Sequence, residues 1–384
     1  VAILAGEISC GAAQCAPELV QAHDTVGKNW PSKQPFYNNQ PELTLREEAE
    51  RATGIEDKST MSTRMVRVAV AQATAKLFDV TASLEKAATL IRQAAAAEAK
   101  LVLFPEAFIS GYPRGLGFGT VVGSRSPEGR DLYRRVWEAA IEVPSLATEV
   151  LGAASREAGI YTAVGVIERA GTGHGSLYCS LLFFGPDGRL LLRHRKLKPT
   201  GSERLMWGEG DGSSLVVVET EIGRIGGLIC WENYMPLARA ALYAQGVEIY
   251  VAPTADCRDS WQATLCHIAC EGRCFVLGCN QFVTRAHYPD WWAELDEIKN
   301  LPETACRGGS AVYSPLGKPL AGPAYDREEM IVVDLDLDDV VRGKLDFDPV
   351  GHYARPDVFE LRVNRRALSP VTFLQAESSL VESE

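Results

Sequence analysis

The pattern of apolar and polar positions changes character near residue 66. Upstream, residues 1–61 contain polar and proline-bearing stretches such as GKNWPSKQPFYNNQPE and one charged piece, LREEAERATGIEDKS, which fits a single short helix. From Val66 onward, short apolar runs alternate with amphipathic ones. VRVAVAQA reads as a strand, 81–99 as a helix with one apolar face and LVLF as a short second strand, together a βαβ unit. A helix over 146–157 and the strands IYTAVGVIE, LYCSLLFF and RLLLRHRK follow, the last two joined by a turn at Pro186, Asp187 and Gly188. Then come LVVVET, RIGGLIC, a helix over 236–245, the strand EIYVAP, a helix over 260–272 and the strand CFVLGCN, with GSAVYS and MIVVDLD as later strands. Strands alternating with helices, with hairpins in the middle, predict an α/β fold: a mixed sheet, or two packed sheets, covered by helices. The segment 285–308, with Trp291 and Trp292, has no clear period and reads as a long surface loop, a kind of segment that often carries function.

Composition narrows the classes. A chain of 384 residues with 46% hydrophobic content can build a sizeable core. Its 39 Lys+Arg against 50 Asp+Glu, with no long basic run, argue against nucleic acid as a partner. Ten cysteines are scattered without the dense spacing of a disulfide scaffold, which fits reduced thiols in a cytoplasm. No apolar run approaches the roughly 18 to 20 residues that cross a bilayer. The start, VAILAGEISCGAA, lacks a basic n-region and carries Glu7, so it reads as neither signal peptide nor membrane anchor. Met61 and Met65 precede the first strong strand, so the residues before them read as an extension, an expression remnant or a misplaced start, and residues 1–60 are expected to be dispensable for chemistry.

Three constellations could carry chemistry. In FPEAFISGYPRG an apolar strand delivers Glu106 to its carboxyl end, where open α/β sheets place ligands. A partly desolvated carboxylate there suits general-base work, and an acid capping the next helix or pairing with Arg114 fits equally well. In HRKLKPTGSE a strand runs into Arg195, Lys196 and Lys198. Lysines at a strand end are commonly solvated, but one kept beside a cysteine would stabilise a thiolate and any anion forming on a substrate. In GGLICWENYMPLAR a strand breaks at Cys230 and a helix starts a few residues later, so free backbone N–H groups could face the thiol and lower its pKa. A small buried hydrophobe is the alternative for that cysteine.

Taken together, in the order Glu, Lys, Cys, these motifs resemble the nitrilase branch of the carbon-nitrogen hydrolase superfamily. The resemblance runs from about Val66 to Asn364 and includes VGSRSPEGRDLYRR, WGEGDGSS, APTADCRDSW, HIACEGRCFVLGCNQF and DFDPVGHYARPDVF. It implies a four-layer α-β-β-α sandwich over residues 62–366, flanked by the extension 1–61 and a tail 367–384. It also implies catalytic roles for Glu106, Lys196 and Cys230, with Glu203 as accessory carboxylate. Trp231 after the nucleophile and Tyr112, Pro113 and Arg114 after the base are similar to plant-type and bacterial nitrilases more than to amidases or carbamoylases. Tyr112, Trp231, Thr254 and His267 are the expected substrate-binding residues. No cofactor or metal is implied, the partner is a small nitrile, and assembly into homodimers and larger spirals or filaments is expected. An amidase or carbamoyl hydrolase using the same residues, a cyanide-hydrolysing relative and a non-catalytic filament-forming scaffold are the alternatives.

Other clusters read as structural. Cys266, Cys270 and Cys274 with His267 sit at helical spacing, and an i, i+4, i+8 row rising about 6 Å per step cannot surround one ion. His267 and Glu271 form an i, i+4 pair. GLGFG and GEGDG do not follow a strand and open a helix, as a dinucleotide loop must, and read as turns.

Overall fold

The computed structural model describes residues 64–171, 174–369 and 371. The charged stretch LREEAERATGIEDKS and the rest of the N-terminal extension therefore lie outside the described residues, as does most of the tail. The elements below all belong to one unit, Thr63–Glu384. In chain order, the first half contains β1 (Met65–Gln72), α1 (Val80–Ala96), β2 (Leu101–Leu103), a small hairpin of β3 (Thr120–Val121) and β4 (Ser124–Arg125), α2 (Pro127–Glu138), α3 (Leu146–Ala158), β5 (Tyr161–Arg169), β6 (Leu177–Phe184) and β7 (Leu190–Arg195). The second half contains β8 (Val218–Thr220), β9 (Gly223–Gly227), α4 (Pro236–Tyr243), β10 (Ile249–Pro253), α5 (Asp259–Gly272), β11 (Phe275–Cys279), β12 (Phe282–Thr284), α6 (Asp290–Ala293), α7 (Asp296–Lys299), β13 (Thr304–Tyr313), β14 (Pro319–Tyr325), β15 (Glu329–Asp336) and α8 (Asp338–Lys344).

The strands form two mixed sheets. The first has the order β15-β1-β2-β5-β6-β7; the second has the order β12-β13-β11-β10-β9-β8, with β14 paired to β13. Side-chain alternation shows how they stack. Along β10, Ile249 and Val251 join the larger core with residues of the first sheet, while Tyr250 and Ala252 point the other way, toward Leu242 of α4 and Trp261, Leu265 and Ile268 of α5. Helices α1 and α3 pack together on the outer face of the first sheet, as α4 and α5 do on the second. The layers are therefore α-β-β-α, as the resemblance implied. Helix α1 follows from its sequence: Asp79 accepts the Ala82 N–H at 2.9 Å as N-cap, and Ala87, Ile91 and Ala94 bury one stripe. Helix α3 starts where Thr148 Oγ1 accepts the Ser145 N–H at 2.9 Å and stops at Gly159, which takes the left-handed φ of 65°.

Several elements differ from the sequence reading. Helix α2 was hidden in VGSRSPEGRDLYRR because only Gly129 and Val136 are buried along it; its start is marked by Ser126, whose Oγ accepts the Gly129 N–H at 2.9 Å, and by Pro127. LVVVET forms strand only over Val218–Thr220, and Cys274 lies past the end of α5, which closes at Arg273 in the left-handed region. The segment 285–308 is not a surface loop. It holds a 3₁₀ turn, α6, α7 and the start of β13, and it is pinned by Trp292, which is fully buried and stacks on Phe78 with ring centroids 3.7 Å apart. Its neighbour Trp291 is 41% exposed and lies under the Arg135 guanidinium.

This packing separates two adjacent tryptophans. Trp292→Ala should destabilise the domain by about 3–5 kcal/mol, and Trp291→Ala by less than about 1 kcal/mol, as read from denaturant midpoints. Equal losses would show that the segment is not anchored as described.

Candidate active site

The ends of strands from both sheets converge on one buried cluster. β2 ends at Leu103 and the chain continues through Phe104 and Pro105 to Glu106, which is fully buried. The approach is close: a Cβ at Gly165 of β5 would stand 2.3 Å from the Pro105 carbonyl oxygen and 2.8 Å from the Glu106 Cα, so only glycine lets the two backbones meet. Lys196 is the residue after β7, its N–H continuing the β6–β7 ladder to the Cys179 carbonyl at 2.8 Å, and its side chain is fully buried. From the second sheet, β9 runs through Leu228 and Ile229 to Cys230, which opens a 3₁₀ turn with a φ of 52°. A non-glycine residue in that region is uncommon and marks a backbone held by its surroundings. Asn233 holds it, donating from Nδ2 to the carbonyls of Leu228 and Cys230 at 2.9 and 2.8 Å and accepting the Tyr250 hydroxyl at 2.7 Å.

Within the cluster, the Lys196 ammonium donates to Glu106 Oε1 at 2.7 Å and to Glu203 Oε2 at 2.8 Å. Glu203 is aimed by its own turn, its Oε2 accepting the Thr200 N–H at 2.7 Å, while its Oε1 accepts the Tyr112 hydroxyl at 2.6 Å. Gln281 Nε2 fixes the Glu106 carbonyl at 2.8 Å, and the Cys179 thiol approaches Glu106 Oε1 at 3.4 Å. The two side-chain donors to the Glu106 carboxylate, Lys196 and Cys179, both address Oε1; Glu106 Oε2 is buried and has no hydrogen-bond partner among the described residues. The alternative pairing of Glu106 with Arg114 does not form: the Arg114 guanidinium donates instead to the Ala255 carbonyl.

Burial and charge set the proton affinities. Burial raises the Glu106 carboxyl above its usual range, against the pull of Lys196 and with the help of Glu203. Burial works against the Lys196 ammonium, but Glu106, the nearby thiols and Glu203 outweigh it and hold its pKa well above the ordinary value. The Cys230 thiol is pushed up to about 12, chiefly by burial and then by Glu106, with Lys196 pulling the other way. This corrects the expectation of a lowered thiol pKa: the thiol is buried beside a carboxylate, and desolvation outweighs the pull of Lys196 and of the Thr254 hydrogen bond. The thiol is therefore protonated at neutral pH and needs a base at the moment it attacks.

The four expected substrate-binding residues separate. Thr254, at the end of β10, donates from Oγ1 to Cys230 Sγ at 3.1 Å and accepts the Asp256 N–H at 2.9 Å. Trp231 is 38% exposed next to the thiol, its Nε1 donating to Asp256 Oδ2 at 2.8 Å and its ring covered by Arg258. Tyr112 packs edge-on against Trp207 and, with Arg114, Phe118, Glu203 and Met206, lines a cavity of about 410 Å³ that reaches the cluster on its Glu203 side. His267 does not join them. It stands 64% exposed on α5, 3.6 Å from Glu271, whose carboxylate is engaged by Arg239 and Tyr243. Sequence reasoning missed Cys179 and Gln281. Cys179 carried a weak signal, a cysteine one ladder position from the lysine motif; Gln281 carried none. Among the described residues, no group of three His, Cys, Asp or Glu is placed to hold a metal ion.

Residues 67–344 match the carbon-nitrogen hydrolase family. An aliphatic nitrilase of Sinorhizobium fredii (strain HH103) is 52% identical over 306 residues, 79% of this chain and 97% of that protein. A bifunctional nitrilase/nitrile hydratase, NIT4A, of Lupinus angustifolius is 50% identical over 319 residues, 82% of this chain and 90% of that protein. The crystal structure of Nit3 of Saccharomyces cerevisiae, a member of branch 10 of the nitrilase superfamily, superposes with a TM-score of 0.60 at 22% identity, covering 75% of this chain and 96% of that one, which supports the shared fold. The two-sheet sandwich, the buried Glu-Lys-Cys cluster and the half-identical relatives agree: the chain belongs to the carbon-nitrogen hydrolase family, within its nitrilase branch.

Proposed function

We propose that this protein hydrolyses an organic nitrile to the carboxylic acid and ammonia, with Cys230 as nucleophile, Glu106 as general base, Lys196 as the cation at the reacting centre and Glu203 as the carboxylate that orients Lys196. The observation that carries the assignment of roles is the asymmetry of Glu106. Lys196 and Cys179 occupy one carboxylate oxygen, the other is buried without a partner among the described residues, and the carboxyl group is more basic than an ordinary glutamate. A nitrile carbon is a weak electrophile, so a protonated thiol will not attack it without such a base.

In the first step Glu106 takes the Cys230 proton as sulfur adds to the nitrile carbon, and the nitrogen, stabilised by Lys196 and the Trp231 backbone N–H, takes up a proton to give a thioimidate. Water then adds with Glu106 as base. Loss of ammonia from the tetrahedral species leaves a thioester, and a second water releases the acid and restores the thiol. If that tetrahedral species expels sulfur instead, an amide leaves. Thr254 keeps the thiol aimed, and Tyr112 and Trp231 line the approach for the substrate's organic group. No helix among the described residues is long and apolar enough to cross a membrane. We place the enzyme in the cytoplasm, where its unpaired thiols persist. We also assign it a homodimeric unit that builds larger spirals, an assembly favoured by the exposed apolar side chains of Leu237, Tyr234 and Met235.

Ammonia release from a panel of nitriles and matching amides tests the activity; turnover of amides alone would move the protein to the amide-hydrolysing class. Cys230→Ala should lower turnover by about 10⁴-fold or more, with Glu106→Gln and Lys196→Ala similarly severe and not additive with it. Thiol labelling is a poor reporter, because the half-buried Cys257 thiol, beside Cys306 and near the Arg114 guanidinium, is held below its ordinary value and would compete for the label. Intact mass during turnover, mapped by peptide, should instead place the acyl adduct on Cys230; an adduct on Cys257 or Cys279 would overturn the assignment. Thr254→Val should slow turnover roughly tenfold, the worth of one hydrogen bond to the reacting sulfur. Because the ionised form of Glu106 does the work and its pKa lies above the usual 4.5, kcat/KM should fall as pH drops through that raised value. An acid limb at or below pH 4.5 would assign the base elsewhere.

A further inference from the structure

We propose that Glu232 is a positioning residue for this chemistry: its buried carboxylate fixes the end of β7, which carries Lys196, against the end of β9, which carries Cys230. The inference rests on the roles proposed above for those two residues. Glu232 lies two positions after Cys230, is fully buried and touches neither Lys196 Nζ nor Cys230 Sγ in the hydrogen-bond network. Its two oxygens are divided between the two strand ends. Oε1 accepts the N–H of Leu197, the residue after Lys196, at 2.6 Å, and Oε2 accepts the N–H of Ile229, the residue before Cys230, at 2.7 Å. His194 Nε2 bridges both oxygens at 3.1 and 3.0 Å, and its Nδ1 meets Ser214 Oγ at 2.9 Å.

β7 belongs to the first sheet and β9 to the second, and among the described residues no strand pairing connects the two sheets. Ladder hydrogen bonds therefore cannot set the spacing of the ammonium and the thiol. A carboxylate shared between the two backbones can, and the short bonds to Leu197 and Ile229 are charge-assisted, the stronger kind of hydrogen bond. The alternative, a carboxylate that merely satisfies two buried N–H groups, would contribute stability without influencing the reacting groups. The two roles differ in what they do to Glu106. Lys196, Glu203, Cys179, Cys230 and Tyr112 are the charged and titratable groups around Glu106, and Lys196, with the Cys179 hydrogen bond as a smaller contribution, holds its proton affinity down. If the end of β7 drifts, Lys196 loosens and Glu106 becomes still harder to ionise.

The test uses the full chain. Glu232→Gln keeps the volume but can accept from only one of the two strand ends, presenting an NH₂ group to the other. It should lower kcat by roughly 10²-fold, the effect of a misplacement of about 1 Å, with a smaller change in KM, and it should move the acid limb of kcat/KM to higher pH. Glu232→Asp, which retains the charge but not the reach, should fall between the parent and Glu232→Gln. A folded Glu232→Gln protein with kcat within threefold of the parent and an unmoved acid limb would overturn the proposal, as would a loss that only follows the folded fraction. If Glu232→Gln does not fold, Ser214→Ala, which frees the far side of the His194 ring, should move the acid limb in the same direction by a smaller amount, and an unmoved limb there overturns it too. The parent's acyl adduct keeps the two readings apart: its absence from Cys230 removes the catalytic assignment, whereas its presence with a normal Glu232→Gln removes only the clamp.

Discussion

The constraint on which the rest of this structure depends is the burial of three charges together. Lys196 and Glu106 are fully buried and Glu203 nearly so, with one ammonium serving two carboxylates. Moving such groups out of water costs several kcal/mol per ion, and the mutual attraction offsets that only when every remaining donor and acceptor is met. The surrounding architecture supplies the partners: the Thr200 N–H and the Tyr112 hydroxyl for Glu203, the Cys179 thiol for Glu106, and Gln281 to hold the Glu106 backbone. The position left over is Glu106 Oε2. A buried, unpartnered carboxylate oxygen is a liability for folding and an asset for chemistry, since it is where a proton can be received.

The same burial explains why the nucleophile is a thiol held protonated. With its pKa near 12, Cys230 carries no standing negative charge beside Glu106, so the resting site avoids two adjacent anions. Charge appears on sulfur only when a substrate carbon is there to receive it, and Lys196 is already in place. The price is a dependence on position, because a base that acts only in the attacking step must be aligned beforehand. Gly165 lets β5 close against the Glu106 backbone, and Gly227 does the same in the second sheet, where a Cβ would stand 1.9 Å from the Val251 carbonyl oxygen. These are strand glycines whose function is close approach, not turning.

Much of this was legible in the sequence, for physical reasons. Glu106, Lys196 and Cys230 each follow an apolar strand, and a residue just past a buried strand is held by a rigid element at the sheet's edge. Thr254 shares that position after EIYVAP. Helices with an apolar stripe, such as α1 and α3, were readable from their period. Helix α2 was not, because little of it is buried, and α6 and α7 are single turns too short to show a period at all. The burial of Trp292 and the exposure of Trp291 could not be told apart from an aromatic pair without knowing that Phe78 waits on one side. His267 shows the converse failure: a histidine inside a family-like motif, on a helix whose other face is core, points to solvent. Helix position fixes which side chains share a face, but only tertiary packing decides which face meets the site.

The thiol's environment departs furthest from what its local sequence favours, and it agrees with the alternative of a small buried side chain. Free N–H groups at a turn and a nearby lysine both favour a thiolate, and both are local or nameable from the chain. Desolvation is neither. It arises from residues contributed by both sheets, closing over a point that no single segment encloses, and here it exceeds the local terms by enough to reverse the sign. The Glu-Lys-Cys motifs specify which atoms are available, while the sandwich decides in which protonation state they wait.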